Sequence, residues 1–469
     1  MNSRTALADA ALRDARPAVM WTDVADRPEP TPGPTGRARA DLVVVGAGYT
    51  GLWAALQAKE DDPSLDVVVV DSGRVGDQAS SRNGGFLSAT LTHGLENGLA
   101  RFPHQIDRLV ELGNLNLTGL VDSIERHRID ARLEMTGNLV VADAPWLVEG
   151  VAEFVELLND HGERAELLDG AQARSRVDSP TYLAAALVHT GEGLVDPARL
   201  GWGLADACRG LGVRIFEDTR MTRLERSGAG MEVTTDRGAI RAGAVVLGTG
   251  AFRSPLRAMN RRVVPVYDYV LATEPLTPQQ LASVGWNGRQ GVADTSNQFH
   301  YYRLSSDDRI VWGGYDAVFH NWGRLDPSLD QRPETHRRLA EHFFTTFPQL
   351  EDVRFSHRWA GVIDTSTRFS VGFGTAFDGR VAYAIGYTGL GVGSTRFGAR
   401  VCLDLLYRPD SELLELDLVR RRLLPFPPEP IRTAGIQMTR RAIAAADADE
   451  GRRGPWLRLL DRLGLGFDS

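Results

Sequence analysis

The run Gly46-Ala47-Gly48-Tyr49-Thr50-Gly51 spaces three glycines so that a backbone can turn tightly and approach a pyrophosphate. Asp71 follows Gly51 by twenty residues. At that distance a carboxylate accepts hydrogen bonds from the ribose of a dinucleotide. A second stretch, Ala79-Ser80-Ser81-Arg82-Asn83-Gly84-Gly85-Phe86, sets two adjacent glycines beside an arginine. That composition suits a backbone held close to something. The first motif does not choose between a nicotinamide and a flavin. The second loop, lying just beyond Asp71, favours the larger flavin, which reaches deeper.

The elements that must position these residues are legible. "ADLVVVGAG" is a buried strand entering a turn, "TGLWAALQAKE" has helical spacing, and "DVVVVDSG" is a second buried strand. Residues 41–71 are thus one β-α-β unit. From Leu99 to about Ile129 the apolar residues recur at helical intervals. Residues 223–252 read as strands joined by Gly-rich turns, and 262–320 as strand-rich and aromatic. "DPSLDQRPETHRRLAEHFFTTFP" reads as a helix. "VAYAIGYTGLGVGSTRFGARVCLDLLY" repeats the strand, glycine turn and helix. The first 37 residues, rich in Pro and Gly near their end, read as a leader and linker. The tail from about Asp410 is Arg-rich and ends in an amphipathic helix, "WLRLLDRLGLG".

Composition narrows the function. The chain has 469 residues and a net charge of −8, which points away from nucleic acid and anionic membranes. Two cysteines, Cys208 and Cys402, have neither pairing nor metal spacing, and no metal is expected. Lys59, in a charged helix end, is the only lysine, which argues against a Schiff-base cofactor. The first residues lack the apolar run of a signal peptide, and no run is long enough to span a bilayer, so neither a signal peptide nor a span is expected. A cytoplasmic location is expected.

In "DLVVVGAGYTGLWAA", "VVVVDSGRVGDQASSRNGG", "GLVDPARL", "AVVLGTGAF", "YYRLSSDDRIVWGG", "WAGVIDTSTRFSVGFG" and "IGYTGLGVGST" the chain resembles the D-amino-acid oxidase-like family of FAD-dependent oxidoreductases. The pieces run in family order over roughly residues 40–405. "ASSRNGG" is most similar to the form in γ-glutamylputrescine-oxidase-like and aminophosphonate-associated members. The resemblance implies an α/β fold: a Rossmann-like FAD-binding domain with a β-sheet-based α+β substrate domain, each discontinuous. The FAD domain would take 38–100, 190–260 and 355–408. The substrate domain would take 101–189 and 261–354, and 409–469 would be a C-terminal extension. It further implies that Gly46, Gly48, Tyr49, Thr50 and Gly51 meet the pyrophosphate, and Asp71 and Ser72 the adenosine ribose. Arg74, Ala79, Ser80, Ser81, Arg82, Asn83, Gly84 and Gly85 would line the diphosphate and isoalloxazine. The main chain near Met221 would meet the adenine, and Gly248, Thr249 and Gly250 would pack beside the cofactor. Gly386, Tyr387, Gly389, Leu390, Gly391 and Val392 would approach the flavin pyrimidine, ahead of a helix start that favours negative charge.

Departures from the family refine this. Asn83 stands where relatives can attach flavin through a histidine, and "WAGVIDTSTRFSVG" lacks the cysteine others use, so FAD is expected to be non-covalent. The family's usual acid and proline there are replaced by Thr367 and Ser370. The lysine that activates oxygen in sarcosine-oxidase-like members has no counterpart, and "GYTGLG" lacks the carboxylate-binding arginine of glycine oxidase-like members. The expected reaction is oxidation of a C–N bond in an amine or amino-acid-like molecule, with hydride passing to flavin N5 and the imine hydrolysed. Oxygen or another acceptor would take the electrons. A hydroxy-acid dehydrogenase and a non-catalytic FAD-binding subunit are the alternatives. His93, Tyr302 and Arg303 are the candidate substrate contacts; His93 also fits a helix start, and Arg303 a surface ion pair.

Overall fold

The computed structural model describes residues 3–33 and 35–465. Residues 1, 2 and 34 of the expected leader and 466–469 of the extension lie outside the described residues. Leu42–Val45 and Val67–Val70 are buried, as their unbroken apolar runs require of strands covered on both faces. They pair in parallel, Leu42 opposite Val67 through Val45 opposite Val70. Gly36–Val45 also pairs in parallel with Gly238–Leu247, which pairs in parallel with Val381–Ile385. Across the sheet the order is 372–376, 381–385, 238–247, 36–45, 67–70 and 214–216, with the hairpin 221–227 and 230–235 attached to 238–247. The parallel strands therefore end along one edge, at Gly46, Asp71, Gly248 and Gly386. This is where an open α/β sheet leaves its ligand crevice. Helix Tyr49–Asp61 is buried along nearly its whole length and packs against helix Gly391–Tyr407.

The second sheet is antiparallel except for one pair, 291–294 with 138–142. Its order is 355–366, 263–273, 310–314, 300–304, 291–294, 138–142, 184–188 and 165–169. One face packs on a core of Tyr267, Tyr269, Leu271, Tyr302 and Trp312 with Phe343 and Phe347 of and just beyond helix Pro333–Thr346. The opposite face carries Val264, Val266 and Asp268, at the two-residue period of a strand, and Tyr301 of the neighbouring strand; these four line a cavity.

Four segments differ from the sequence expectation. The helical stretch after Leu99 is two helices, Leu95–Arg101 and Ile106–Arg126, broken at Phe102–Gln105, where Pro103 cannot continue the first. The helix expected from Asp326 starts at Pro333, which occupies the first helical position, where its missing N–H costs nothing. Ahead of its Pro- and Gly-rich stretch the leader is structured and packed. It forms helix Ser3–Leu12, whose Ala8, Ala11 and Leu12 join the second sheet's core, and it buries Trp21 against the first. The tail carries an additional helix, Ile431–Ala448, before the amphipathic one at Pro455–Arg462.

Candidate active site

A single cavity of about 1890 Å³ runs from the ends of the parallel strands to the inner face of the second sheet. At the strand end, Gly46 adopts φ +109°, and a Cβ there would lie 2.4 Å from the Gly248 carbonyl oxygen. A Cβ on Gly51 would lie 1.9 Å from the Gly46 carbonyl oxygen, so helix Tyr49–Asp61 can sit on the turn only with glycine there. The helix starts after Gly48, which has no side chain to cap it; its first N–H, of Tyr49, donates to Ser80 Oγ at 3.0 Å. Asp71 accepts from Ala47 N–H at 2.6 Å and Gly73 N–H at 2.8 Å. Burial holds its carboxyl above the usual range, opposed by those two backbone bonds. The buried Oγ1 of Thr249 has no hydrogen-bond partner in the protein, and Thr249 belongs to the cavity wall. A glycine cradle, a helix N-terminus, an acid with spare lone pairs and an orphaned hydroxyl together fit a dinucleotide.

The Arg-Asn-Gly-Gly stretch is fastened on every side. Arg82 donates to the carbonyls of Asp77 at 2.9 Å and Ala360 at 3.0 Å, and pairs with Asp330. Asn83 folds back to donate to the carbonyls of Ala79 at 2.9 Å and Ser80 at 3.0 Å, and accepts from Gly85 N–H at 2.7 Å. Two indoles hold the loop's carbonyls: Trp359 donates to Arg82 and Trp21 to Asn83, both at 3.0 Å. A Cβ on Gly84 would lie 2.6 Å from the Tyr301 ring, and one on Gly85, at φ +79°, 2.1 Å from the Val195 carbonyl oxygen. Each glycine thus has its own cause: an aromatic ring passes one, and the Val195 backbone passes the other.

Most residues expected at the cofactor lie on this wall: Gly46, Gly48, Tyr49 and Thr50; Asp71, Ser72 and Arg74; Ala79, Ser80, Arg82, Asn83 and Gly84. Met221, Gly248, Thr249 and Gly250 do too, as do Tyr387, Gly389, Leu390, Gly391 and Val392. Gly51, Ser81, Gly85 and Gly386 stand behind it. Gly51 packs helix on turn, Ser81 is fully buried, Gly85 abuts Val195, and Gly386 donates its N–H to Asp364 at 2.6 Å.

Two of the three expected substrate contacts are placed elsewhere. Arg303 is buried behind the glycine loop, donating to the Val195 carbonyl at 2.7 Å and to the Leu304 carbonyl at 3.0 Å. A Cβ on Gly85 would lie 2.9 Å from its guanidinium, so Arg303 props the loop and is no surface ion pair. Tyr302 points into the core, its hydroxyl 2.6 Å from that of Tyr182. His93 does line the cavity, at φ +57° and edge-on to Phe369 with ring centroids 5.6 Å apart; burial pulls its pKa down.

The residues that sequence reasoning missed are carboxylates. Asp268 accepts from the Tyr301 hydroxyl and from Gly314 N–H at 3.2 Å, and burial pushes its pKa up to about 6. Asp364, at the end of strand Phe355–Ser366, is likewise raised to about 6 by burial against its bond from Gly386. Glu192 accepts from Ser88 Oγ at 2.7 Å and is raised to about 8. All three line the cavity. At neutral pH this leaves two ionised acids and one largely protonated acid on the cavity wall. Such groups can hold an ammonium or take its proton. The alternation Tyr267-Asp268-Tyr269 was the available signal: with both tyrosines in the core, Asp268 must face the other way.

Comparison with known proteins agrees with this geometry. A family model described as FAD dependent oxidoreductase matches residues 41–405. The gamma-glutamylputrescine oxidoreductase of Escherichia coli is 31% identical over 378 residues, covering 79% of this chain and 84% of its own length. The probable oxidoreductase OrdL of Haemophilus influenzae is 29% identical over 385 residues, with coverage of 80% and 84%. Among solved structures, glycine oxidase from Geobacillus kaustophilus superposes with a TM-score of 0.66 at 20% identity, covering 82% of this chain and 99% of that one. That last likeness is one of fold.

Proposed function

From the premise that this chain belongs to the FAD-dependent oxidoreductase family, we propose that it oxidises a C–N bond of a small amine or amino-acid-like molecule. The observation that carries this reading is the continuity of the cavity from the glycine cradle to Asp268 and Tyr301. Gly46, Gly48, the start of helix Tyr49–Asp61 and Asp71 are the residues we assign to FAD. Bound there, FAD supplies a hydride acceptor at N5. The chain's own part is to bind the amine, make it neutral and exclude water. Only a neutral nitrogen has the lone pair that assists loss of hydride from the adjacent carbon. Asp268, ionised above about pH 6 and oriented by Tyr301 and Gly314, is the group we assign to hold the ammonium and accept its proton. The resulting imine takes up water and separates into a carbonyl compound and ammonia or a smaller amine.

An amine is favoured over a simple α-amino acid because the arginines on the wall far from the cradle, Arg432 and Arg440, already pair with Glu429 and Asp316. Attachment of FAD is assigned as non-covalent: Asn83 is committed to the loop's own hydrogen bonds, and Cys208 and Cys402 are buried off the cavity wall. Lys59 donates to the Pro63 and Leu65 carbonyls at the end of its helix, away from the cavity. Electrons leave to oxygen or to another acceptor, which peroxide release distinguishes. Among the described residues no helix is long and apolar enough to cross a membrane, and we assign the protein to the cytoplasm. The test is an anaerobic flavin-reduction screen over amines, amino acids, aminophosphonates and hydroxy acids. Bleaching by an amine with a carbonyl product supports the assignment. Bleaching by hydroxy acids alone, or by nothing, refutes it.

A further inference from the structure

The family match ends at residue 405, yet the same cavity is walled by helices that lie beyond it. Ile431, Gly435, Ile436, Thr439 and Ile443 of helix Ile431–Ala448 face the cavity at three- and four-residue spacing, as one helical stripe. Trp456 and Leu460 of the following helix, and Leu463 just past it, do the same. This stripe has no core to pack on. Among its described residues the longer helix buries only Ala446, and neither Ile436 nor Ile443 joins the apolar clusters inside the protein.

The helices are nevertheless firmly seated. Asp447 accepts from Asn297 N–H at 3.1 Å, Asn297 Nδ2 at 2.6 Å and Gln298 N–H at 2.9 Å. Those contacts lie just ahead of the strand that carries Tyr301. Gln437 donates to the Phe319 carbonyl at 2.9 Å. A Cβ on Gly451 would come within 2.6 Å of the ring of Trp146, itself a lining residue, so the turn between the two helices packs on that indole. Polar groups along the stripe are already committed. Thr439 accepts from the Trp456 indole at 3.0 Å and donates to the Gly435 carbonyl at 2.9 Å, while Arg432 and Arg440 sit in ion pairs. What remains for a ligand on the stripe is methyl and aromatic surface, and Trp146 and Phe154 add to it on the same cavity's lining. The room is there: one ligand's pocket takes roughly 300–1,000 Å³, and this cavity holds about 1890 Å³.

We propose that the C-terminal helical pair is the specificity-determining wall of the substrate site, and that it selects an amine carrying an extended apolar group, an alkyl or aralkyl amine. This rests on the amine-oxidation reading above and names its substrate class. Each added methylene that reaches the wall gains roughly fourfold in binding or in kcat/KM.

The test uses the FAD-loaded full chain and the n-alkylamines from ethylamine to octylamine. Calorimetric binding to the oxidised protein and anaerobic flavin reduction are both measured against chain length. The expected result is a rise of roughly fourfold per methylene that levels off once the wall is covered. Ile443→Asp is expected to flatten that dependence, and Ile443→Trp to shift the plateau to shorter amines, with melting curves confirming that both fold. Short and long amines binding and reacting equally, or a dependence on length unchanged in both variants, overturns the proposal. If the alkylamines bind with the expected slope but no amine reduces the flavin, the reaction assignment fails and the wall stands. If short amines are oxidised without any gain from length, the wall fails and the reaction assignment stands.

Discussion

Replacing Asp268 by Asn separates what the site needs from what the fold prefers. The Asp268 side chain is half-buried, and desolvation pushes its carboxyl pKa from 3.8 to about 6. A raised acid pKa means that the folded protein holds this proton more tightly than the unfolded chain. Stability from this group is therefore full below about pH 4, falls as pH rises from 4 to 6, and stays low above 6. The rise from 3.8 to about 6 corresponds to about 3 kcal/mol. Asn cannot ionise and does not pay this penalty; its amide oxygen can still accept from Tyr301 or Gly314 N–H. Against the gain stands the charge-assisted part of those bonds, about 1.5–3 kcal/mol. The variant is thus expected to equal or exceed the wild type in stability at pH 8. Its advantage should shrink by about 3 kcal/mol between pH 8 and pH 4. Urea unfolding of both proteins across that range measures the difference directly, and cancels the parallel contributions of Asp364 and Glu192. Flavin reduction by amine should meanwhile drop by about 10²–10⁴-fold, the usual contribution of a positioned proton acceptor. A stability difference that is flat from pH 4 to 8, or an Asn variant that oxidises amines at the wild-type rate, would refute the reasoning.

Four further outcomes test the scaffold and the attachment of the flavin. Gly84→Ala should cost about 1–3 kcal/mol by overpacking against the Tyr301 ring. Gly85→Ala should cost more, because its Cβ meets the Val195 backbone and its φ of +79° is strained for alanine; urea melts ranking the two the other way would contradict the loop's geometry. Trp21→Phe keeps an aromatic ring, though a smaller one, and removes the donor to the Asn83 carbonyl. It should lower stability by about 1 kcal/mol, whereas no measurable change would mean the leader does not brace the loop. Acid precipitation of the yellow protein should release the flavin into the supernatant, and colour retained in the pellet would show a covalent link.

How much was legible depended on whether a signal was local. The Gly46–Gly51 turn, Asp71 and the Arg82–Gly85 loop are set by backbone demands within a few residues, and so could be read directly. The substrate face could not. A two-residue period says that Tyr267 and Tyr269 share a side and that Tyr301 and Tyr302 do not. It does not say which side meets the cavity. That choice is made by what covers the sheet: helix Pro333–Thr346 and the leader helix claim the face bearing Tyr267, Tyr269 and Tyr302. Asp268 and Tyr301 are then the polar pair left toward the cavity, beside Val264 and Val266. Arg303 shows the same limit: it shares Tyr301's side of the strand but lies two residues further on, where Val195 and Gly85 enclose it. The helix Ile431–Ala448 was hidden for a different reason. Its sparse isoleucines among alanines and arginines give a weak apolar stripe, too weak for a helix that must bury itself in a core. It is adequate for a helix whose apolar face looks into a cavity. The same weakness that conceals this helix in the sequence leaves Ile436 and Ile443 available to a ligand, so the element hardest to read is the one on which substrate choice is argued to depend.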